Sequence, residues 1–517
     1  MGEHTGLRPA GVATAPPAQG PPTVGSAAGP TISQRRPRGG GHAAPPATGR
    51  RWLVVVPALL PGLLMLLVGR VGAGNPALGW DENATYLVSQ RTIGEILRQA
   101  GNLDGVIAPY YLFMHGWTAV FGTSELALRT PSLLTVALGV ALTGELGRRL
   151  FGPGVGLLAG LMLVAVPQLS RYAQDARAYG FVFLFAVLAS LLLHRTTRRP
   201  GWGPWIGYAA AVTLLGLAHI VALLLLVGHG FLLLARGRWR PDPALRRWLT
   251  VTTLAVLPVL PLVALGLTQR GDQLDWIKPV GWQALAAAPG DVFLSAAAGL
   301  LIIGLAITAR WPDRPLLVGL WVTALTPPAA LLAVSLVTAP LWVPRYVLFV
   351  LAPLAMLAAV ALRGMPLRAA ATLGLLIAVA IPAHLTARGP NSHHGPNFRA
   401  IAGVIAARQQ PGDGIVYARA GNWSLRAGVG YYLRGTTAPR DLLLWRPAAQ
   451  VGRLGATECP DTAGCLGTTT RVWVVRMGQT DTPAAGVGPA ATPLRERYRQ
   501  IGTWKVSKGT VGLFERR

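Results

Sequence analysis

The feature that most limits this chain is a series of about eleven apolar runs. Each approaches the ~20 residues a helix needs to cross a hydrocarbon core. They fall at about 52–69, 130–147, 153–170, 179–194, 204–218, 220–235, 248–268, 291–309, 315–338, 345–362 and 367–386. Lipid offers no partner to free backbone groups, so such runs fold as a polytopic helix bundle. Composition agrees, with 52% hydrophobic residues, 13% charged and a mean hydropathy of +0.44. That excludes an ordinary soluble enzyme.

The net charge of +27 invites a nucleic-acid reading. Its placement argues otherwise. The arginines cluster in short loops: "GRRLFG" at 147–152, "HRTTRRP" at 194–200, "ARGRWRPDPALRRW" at 235–248, "ARWPDRP" at 309–315 and "LRGMPLR" at 362–368. If the runs alternate across the membrane, these loops share one side with "QRRPRGG" at 34–40. By the positive-inside rule that side is cytoplasmic. There is no basic-aromatic groove pattern, and nucleic acid is not an expected partner.

Three regions follow. Residues 1–50, rich in Pro, Gly, Ala and Arg, read as a disordered cytoplasmic tail. No early signal-peptide pattern occurs, so the first run is expected to remain as an anchor. Residues 51–387 form the transmembrane domain, with a long outer loop at 74–129. Residues 388–517 read as a small extracytoplasmic α/β domain. "NFRAIAGVIAARQ" is patterned as an amphipathic helix, "DGIVYAR" and "RVWVVRM" as strands, and "TWKVSKGTVGLFERR" as a hairpin. Cys459 and Cys465 lie there, and an oxidising location favours a disulfide between them.

Acids are scarce, 20 in 517 residues, yet two stand together in "LGWDENATYL" at 78–87. Asp81 and Glu82 thus sit just past the first span, on the outer side. Asp81 reads either as a helix cap or as a base, and adjacent helical positions point about 100° apart. "DENATYLVSQRTIGEILRQAG" and "PYYLFMHGWTAVFG" read as two interfacial helices. Asp104 in "GNLDG" has the pattern of a turn residue. Asp175 is expected to pair with Arg171 or Arg177, and Glu125 with Arg129, four residues on. Arg345 at a membrane edge suits either snorkelling or phosphate binding. His115 and His219 read as structural. "HH" at 393–394 has no zinc-spaced partner. No Walker-type phosphate loop and no dinucleotide fingerprint appears.

In order, "WDENATY", "DGVIAPYYLFMHGW", "GTSELALRTPSLL", "GRRLFG", "SRYAQDARAYG", "VPRY" and "NFRAIAGVIAARQQPGDGIVY" resemble the GT-C superfamily of integral-membrane glycosyltransferases. The likeness is narrower to bacterial family-39-like enzymes related to protein O-mannosyltransferases. It covers roughly residues 52–440. The resemblance implies a mainly α GT-C bundle of about eleven spans. It implies transfer of a sugar, usually mannose, from a polyprenyl-phosphate donor to a hydroxyl of a glycan, protein or lipid acceptor, with inversion, at the outer leaflet. Asp81 would be the general base, and Glu82 would support it or orient the acceptor. Asp104, Tyr110, Tyr111, Arg171, Asp175, Arg177, Arg345 and Tyr346 would contact donor or acceptor. A divalent metal (Mg or Mn) serves the phosphate in some relatives. Many relatives carry a histidine just before the "PYY" segment, where this chain has Ile107 and Ala108. The rival expectation is a non-catalytic transporter or lipid-handling membrane protein.

Overall fold

A computed structural model describes residues 52–517 except 199, 200 and 241. The tail 1–50 lies outside the described residues. Among the described residues, six helices are long and apolar enough to span a membrane, at Glu125–Phe151, Tyr179–Thr196, Pro243–Thr268, Arg314–Val337, Pro344–Ala361 and Pro366–Ala387. Two further spans are bent pairs, Pro153–Ala165 with Pro167–Ala173 at 69° and Gln283–Phe293 with Ala296–Ile307 at 97°. Three shorter apolar helices, Val54–Arg70, Gly203–Ala218 and Ile220–Arg236, complete the set. Each of the eleven runs corresponds to one of these. The chain is a multi-pass membrane protein.

Helices are named in chain order, beginning with α1 (Trp52–Arg70), α2 (Trp80–Ser89), α3 (Ile93–Asn102) and α4 (Ala108–Phe121). Next come α5 (Glu125–Phe151), α6 (Pro153–Ala165), α7 (Pro167–Ala173), α8 (Tyr179–Thr196), α9 (Gly203–Ala218) and α10 (Leu225–Arg236). The helices α1, α5 and α6 pack backbone to backbone. A Cβ on Gly144 would lie 1.8 Å from the Pro57 carbonyl oxygen, and one on Gly156 2.3 Å from that of Gly144. Small residues permit such crossings in lipid, where dispersion replaces the hydrophobic drive. The bend between α6 and α7 falls where Val166 is extended and Pro167 opens the next helix. It turns α7, with Arg171, out of the span direction.

The loop 74–129 holds three helices rather than two. The expected helix over 81–101 divides at Thr92. That residue accepts the Glu95 amide on its hydroxyl, while the Glu95 carboxylate accepts the Thr92 amide, a reciprocal cap that starts α3.

After the last span, Phe398–Ala406 is helical, and a five-stranded sheet follows. Its strands are β1 (Gly414–Tyr417), β2 (Arg440–Asp441), β5 (Arg471–Met477), β6 (Tyr498–Val506) and β7 (Gly509–Arg516), ordered β2-β1-β5-β7-β6. A separate antiparallel pair joins β3 (Leu444–Arg446) to β4 (Thr457–Glu458). The terminal hairpin begins at Tyr498, five residues before the expected Thr503. Cys459 and Cys465 are joined by a disulfide. The sheet unit docks on the outer loop. Arg399 donates to both Glu125 oxygens at 2.7 and 2.6 Å, and the Tyr431 hydroxyl donates to the Thr123 carbonyl at 2.9 Å. Glu125 therefore does not pair with Arg129. Both lie on α5, but each takes a partner from a distant segment.

Candidate active site

Helix α2 begins after Gly79, whose amide donates to the Glu82 carboxylate at 2.9 Å. Glu82 is thus the capping acid, and Asp81 is not. This orients both side chains. Glu82 turns inward and is 1% exposed, while Asp81, one residue back, is 39% exposed and lines a cavity.

Glu82 is held from three directions. Arg129 donates to its two oxygens at 2.7 and 2.8 Å. His393 Nδ1 lies 2.6 Å from Oε2, and the Ala176 amide donates to Oε1 at 3.2 Å. Burial pushes this carboxyl upward, but Arg129 and His393 outweigh it and hold it well below its usual range. Burial and Arg171 press the His393 imidazole down to about 3, against the pull of Glu82. The Thr85 hydroxyl donates to the Ala176 carbonyl at 2.9 Å, so α2 and the turn at 174–178 are one unit.

That turn presents Arg177 to the cavity. The Arg177 Nε lies 4.0 Å from Asp81 Oδ2, and the Arg345 Nη2 lies 3.5 Å from the same oxygen. Arg345 is fixed in place by its Nε–H donating to the Tyr179 hydroxyl at 2.8 Å. It also sits over the rings of Trp276 at 4.9 Å, Tyr179 at 5.6 Å and Tyr346 at 5.9 Å. Burial raises the Asp81 carboxyl, but Arg177 and Arg345 outweigh it, so it stays below its ordinary value.

The cavity has a volume of about 320 Å³. Of the residues singled out from sequence, Asp81, Asp104, Tyr111, Arg177, Arg345 and Tyr346 line it. Asp104 stands at φ 60°, a conformation Asp tolerates, and accepts the Tyr111 hydroxyl at 3.1 Å. Burial raises its carboxyl, against the pull of Arg177. Glu82, Tyr110 and Asp175 do not line the cavity. Tyr110 and Asp175 are buried, Asp175 lies 3.4 Å from Arg171 Nη1, and burial lifts its carboxyl to about 6. Arg171 instead lines a neighbouring cavity of about 870 Å³ with Lys278, Asp291 and His394. Trp276 and Arg345 stand in the walls of both.

Sequence reasoning passed over several residues here. His219 lines the smaller cavity rather than serving only as packing, as do Arg270, Gln273 and Trp276. Trp423 and Leu454 reach it from the sheet unit. His393 binds Glu82 across 311 positions, a partner no local spacing could reveal. His115 lies elsewhere, with Nδ1 3.0 Å from the Ser89 carbonyl.

Glu82, Asp175 and His393 are the one trio among the described residues whose ligand atoms lie within 4.8 Å of one another. A divalent cation does not fit it. Both Glu82 oxygens already accept from Arg129, whose buried guanidinium would face the ion. The positive charge at this point is the protein's own.

Residues 108–264 match the family model described as dolichyl-phosphate-mannose-protein mannosyltransferase. The fold is similar to the crystal structure of ArnT from Cupriavidus metallidurans in the apo state. Identity is 16%, the TM-score is 0.58, and the match covers 88% of this chain and 97% of that one. The same protein bound to undecaprenyl phosphate matches equally. Arabinofuranosyltransferase AftD from Mycobacteria is more distant, with 16% identity, a TM-score of 0.48, and coverage of 90% of this chain and 41% of that one. No curated protein matches the sequence.

Proposed function

We propose that this chain, which has the GT-C fold and a PMT-like segment, is a membrane glycosyltransferase. It moves a sugar, mannose in the first instance, from a polyprenyl-phosphate donor to an acceptor hydroxyl on the extracytoplasmic face, with inversion. The carrying observation is the placement of one part-exposed carboxylate, Asp81, 3.5 and 4.0 Å from two arginines in a single cavity. The relative bound to undecaprenyl phosphate supports a polyprenyl-linked donor. The arginine-rich loops on the other side support the orientation.

The chemistry uses the groups present. The acceptor oxygen attacks the anomeric carbon as Asp81 takes its proton. The bond from that carbon to the phosphate oxygen breaks on the opposite side. Its electron pair leaves on polyprenyl phosphate, whose charge Arg345 and Arg177 hold. In the free protein those guanidiniums depress the Asp81 carboxyl. A donor phosphate draws them away and adds its own negative charge, which raises the carboxyl and makes a better base when substrate is bound. Glu82 positions α2 and does not touch substrate. No step passes through a metal.

The test is transfer of radiolabelled mannose from its polyprenyl phosphate to membrane acceptors, in nanodiscs. Asp81→Asn is expected to lower turnover by about 10²–10⁴-fold, the scale of losing a general base, without loss of folded protein. Near-unmutated turnover in that variant removes Asp81 as the base. A donor carrying a pentose replaces mannose if only it reacts.

A further inference from the structure

At the far end of α8 from the cavity that holds Asp81 lies a third, smaller cavity of about 60 Å³. His194 is 15 residues along α8 from Tyr179, roughly 22 Å at 1.5 Å per residue. The walls are largely apolar, with Leu150, Leu233 and Phe349 among them; His194, Arg236 and His229 also line it, and both His229 nitrogens are already engaged, with Ser190 and Tyr208 at 3.0 Å each. Among the described residues no carboxylate lines it.

His194 is the anomaly. It is 8% exposed, and its Nδ1 finds no hydrogen-bond partner among the described residues. A buried ring nitrogen left unpaired keeps the cost of its desolvation with nothing to offset it. Four arginines stand around it, Arg149, Arg195, Arg198 and Arg236, of which Arg149 is itself paired with Glu145 at 2.5 Å. Topological charge alone explains arginines in a loop, but not an unpaired histidine buried beneath them. The volume suits a polar group of a few heavy atoms, at ~10–15 Å³ per water-sized volume. It does not suit a lipid chain.

We propose that this cleft binds the phosphate of an anionic diacyl phospholipid, whose chains stay in the surrounding bilayer. The phosphate accepts from His194 on α8 and Arg236 on α10 and joins the two. The gap it fills lies at a weak seam, since α10 packs chiefly on Arg314–Val337 and touches α8 only lightly. Basic pockets between spanning helices take lipid headgroups in this manner.

The full chain, purified in detergent, is loaded with equal dioleoyl phosphatidylglycerol and dioleoyl phosphatidylcholine, and retained lipid is read by native mass spectrometry. The unmutated protein is expected to retain phosphatidylglycerol in clear excess. Arg236→Gln, an exposed helix-end change that leaves packing intact, is expected to cut that excess about fivefold, the scale of one cation near a lipid phosphate. His194→Leu should do the same if it folds. Arg310→Gln, in a different basic loop on the same expected side, should leave it unchanged. Equal retention of the two lipids overturns the proposal. So does an equal loss in Arg310→Gln and Arg236→Gln, because the preference would then be general surface charge. Displacement by undecaprenyl phosphate with no phosphatidylglycerol retained overturns it too, and assigns the cleft to the donor carrier instead.

Discussion

In the first turn of α2, about 100° of helical rotation separates Asp81 from Glu82. One residue is given to the cavity and the other to the interior. Glu82 is the anchor. It takes Arg129, His393 and two backbone amides, and in doing so aims its neighbour. Glu82→Gln leaves the Arg129 guanidinium buried without its counter-charge. The expected loss is about 3–5 kcal/mol, read as a fall in melting temperature, whereas Asp81→Asn leaves melting nearly unchanged. The sign of the pH effect follows from the same pair. The folded value of Glu82 is depressed, so its stabilisation is present above about pH 4.3 and lost as pH falls through the folded value. For Asp81, kcat/KM reports the free protein and kcat the donor complex. The acid limb of kcat/KM should fall below the ordinary carboxylate value of about 3.9, and that of kcat should lie higher. Coincident limbs would show that the donor does not draw the arginines from Asp81.

At the scale of elements, the spans were legible because a bilayer imposes a length, and length survives in sequence. Strands β1 and β5 and the terminal hairpin were legible as short apolar, β-branched runs, whereas β2, β3 and β4, two or three residues each, carry too little pattern to read. What escaped has a physical cause in each instance. Thr92-x-x-Glu95 carries a capping signature, yet the apolar spacing on either side suggests one continuous helix. Glu125 and Arg129 have the spacing of a helical ion pair, but long-range partners outbid a surface pair worth a few tenths of a kcal/mol. His393 looked idle because its partner is far away in the chain. Asp81, Arg177 and Arg345 carried chemical signals in sequence, but their convergence is a property of the fold alone. The packing of α1 on α5 and α6 gives a prediction of its own. Gly144→Ala places a methyl against the Pro57 carbonyl, and relief requires the helices to part. The expected cost is about 1–3 kcal/mol, seen as a lower melting temperature, with Gly154→Ala, which meets nothing, as the control.

Across the whole molecule, three parts meet at one cavity. The bundle supplies Arg345 and Tyr346, the outer loop supplies Asp81 and Asp104, and the sheet unit supplies Trp423 and Leu454. Arg345 stands between this cavity and its larger neighbour, where a phosphate approached from either side meets the same guanidinium. On the proposed reading the arrangement separates binding from chemistry. The arginines should govern affinity for the lipid phosphate, and Asp81 should govern the proton. The measurement that tests this most directly is equilibrium binding of undecaprenyl phosphate to the unmutated protein, Arg345→Gln and Asp81→Asn, alongside transfer by each. Arg345→Gln is expected to lose binding by at least about tenfold and transfer with it, since a charge-assisted contact of ~1.5–3 kcal/mol is removed. Asp81→Asn is expected to bind as tightly or tighter, because a negative charge beside the phosphate is gone, and still to transfer about 10²–10⁴-fold more slowly. Loss of binding in Asp81→Asn, or transfer at nearly the unmutated rate, would contradict the account.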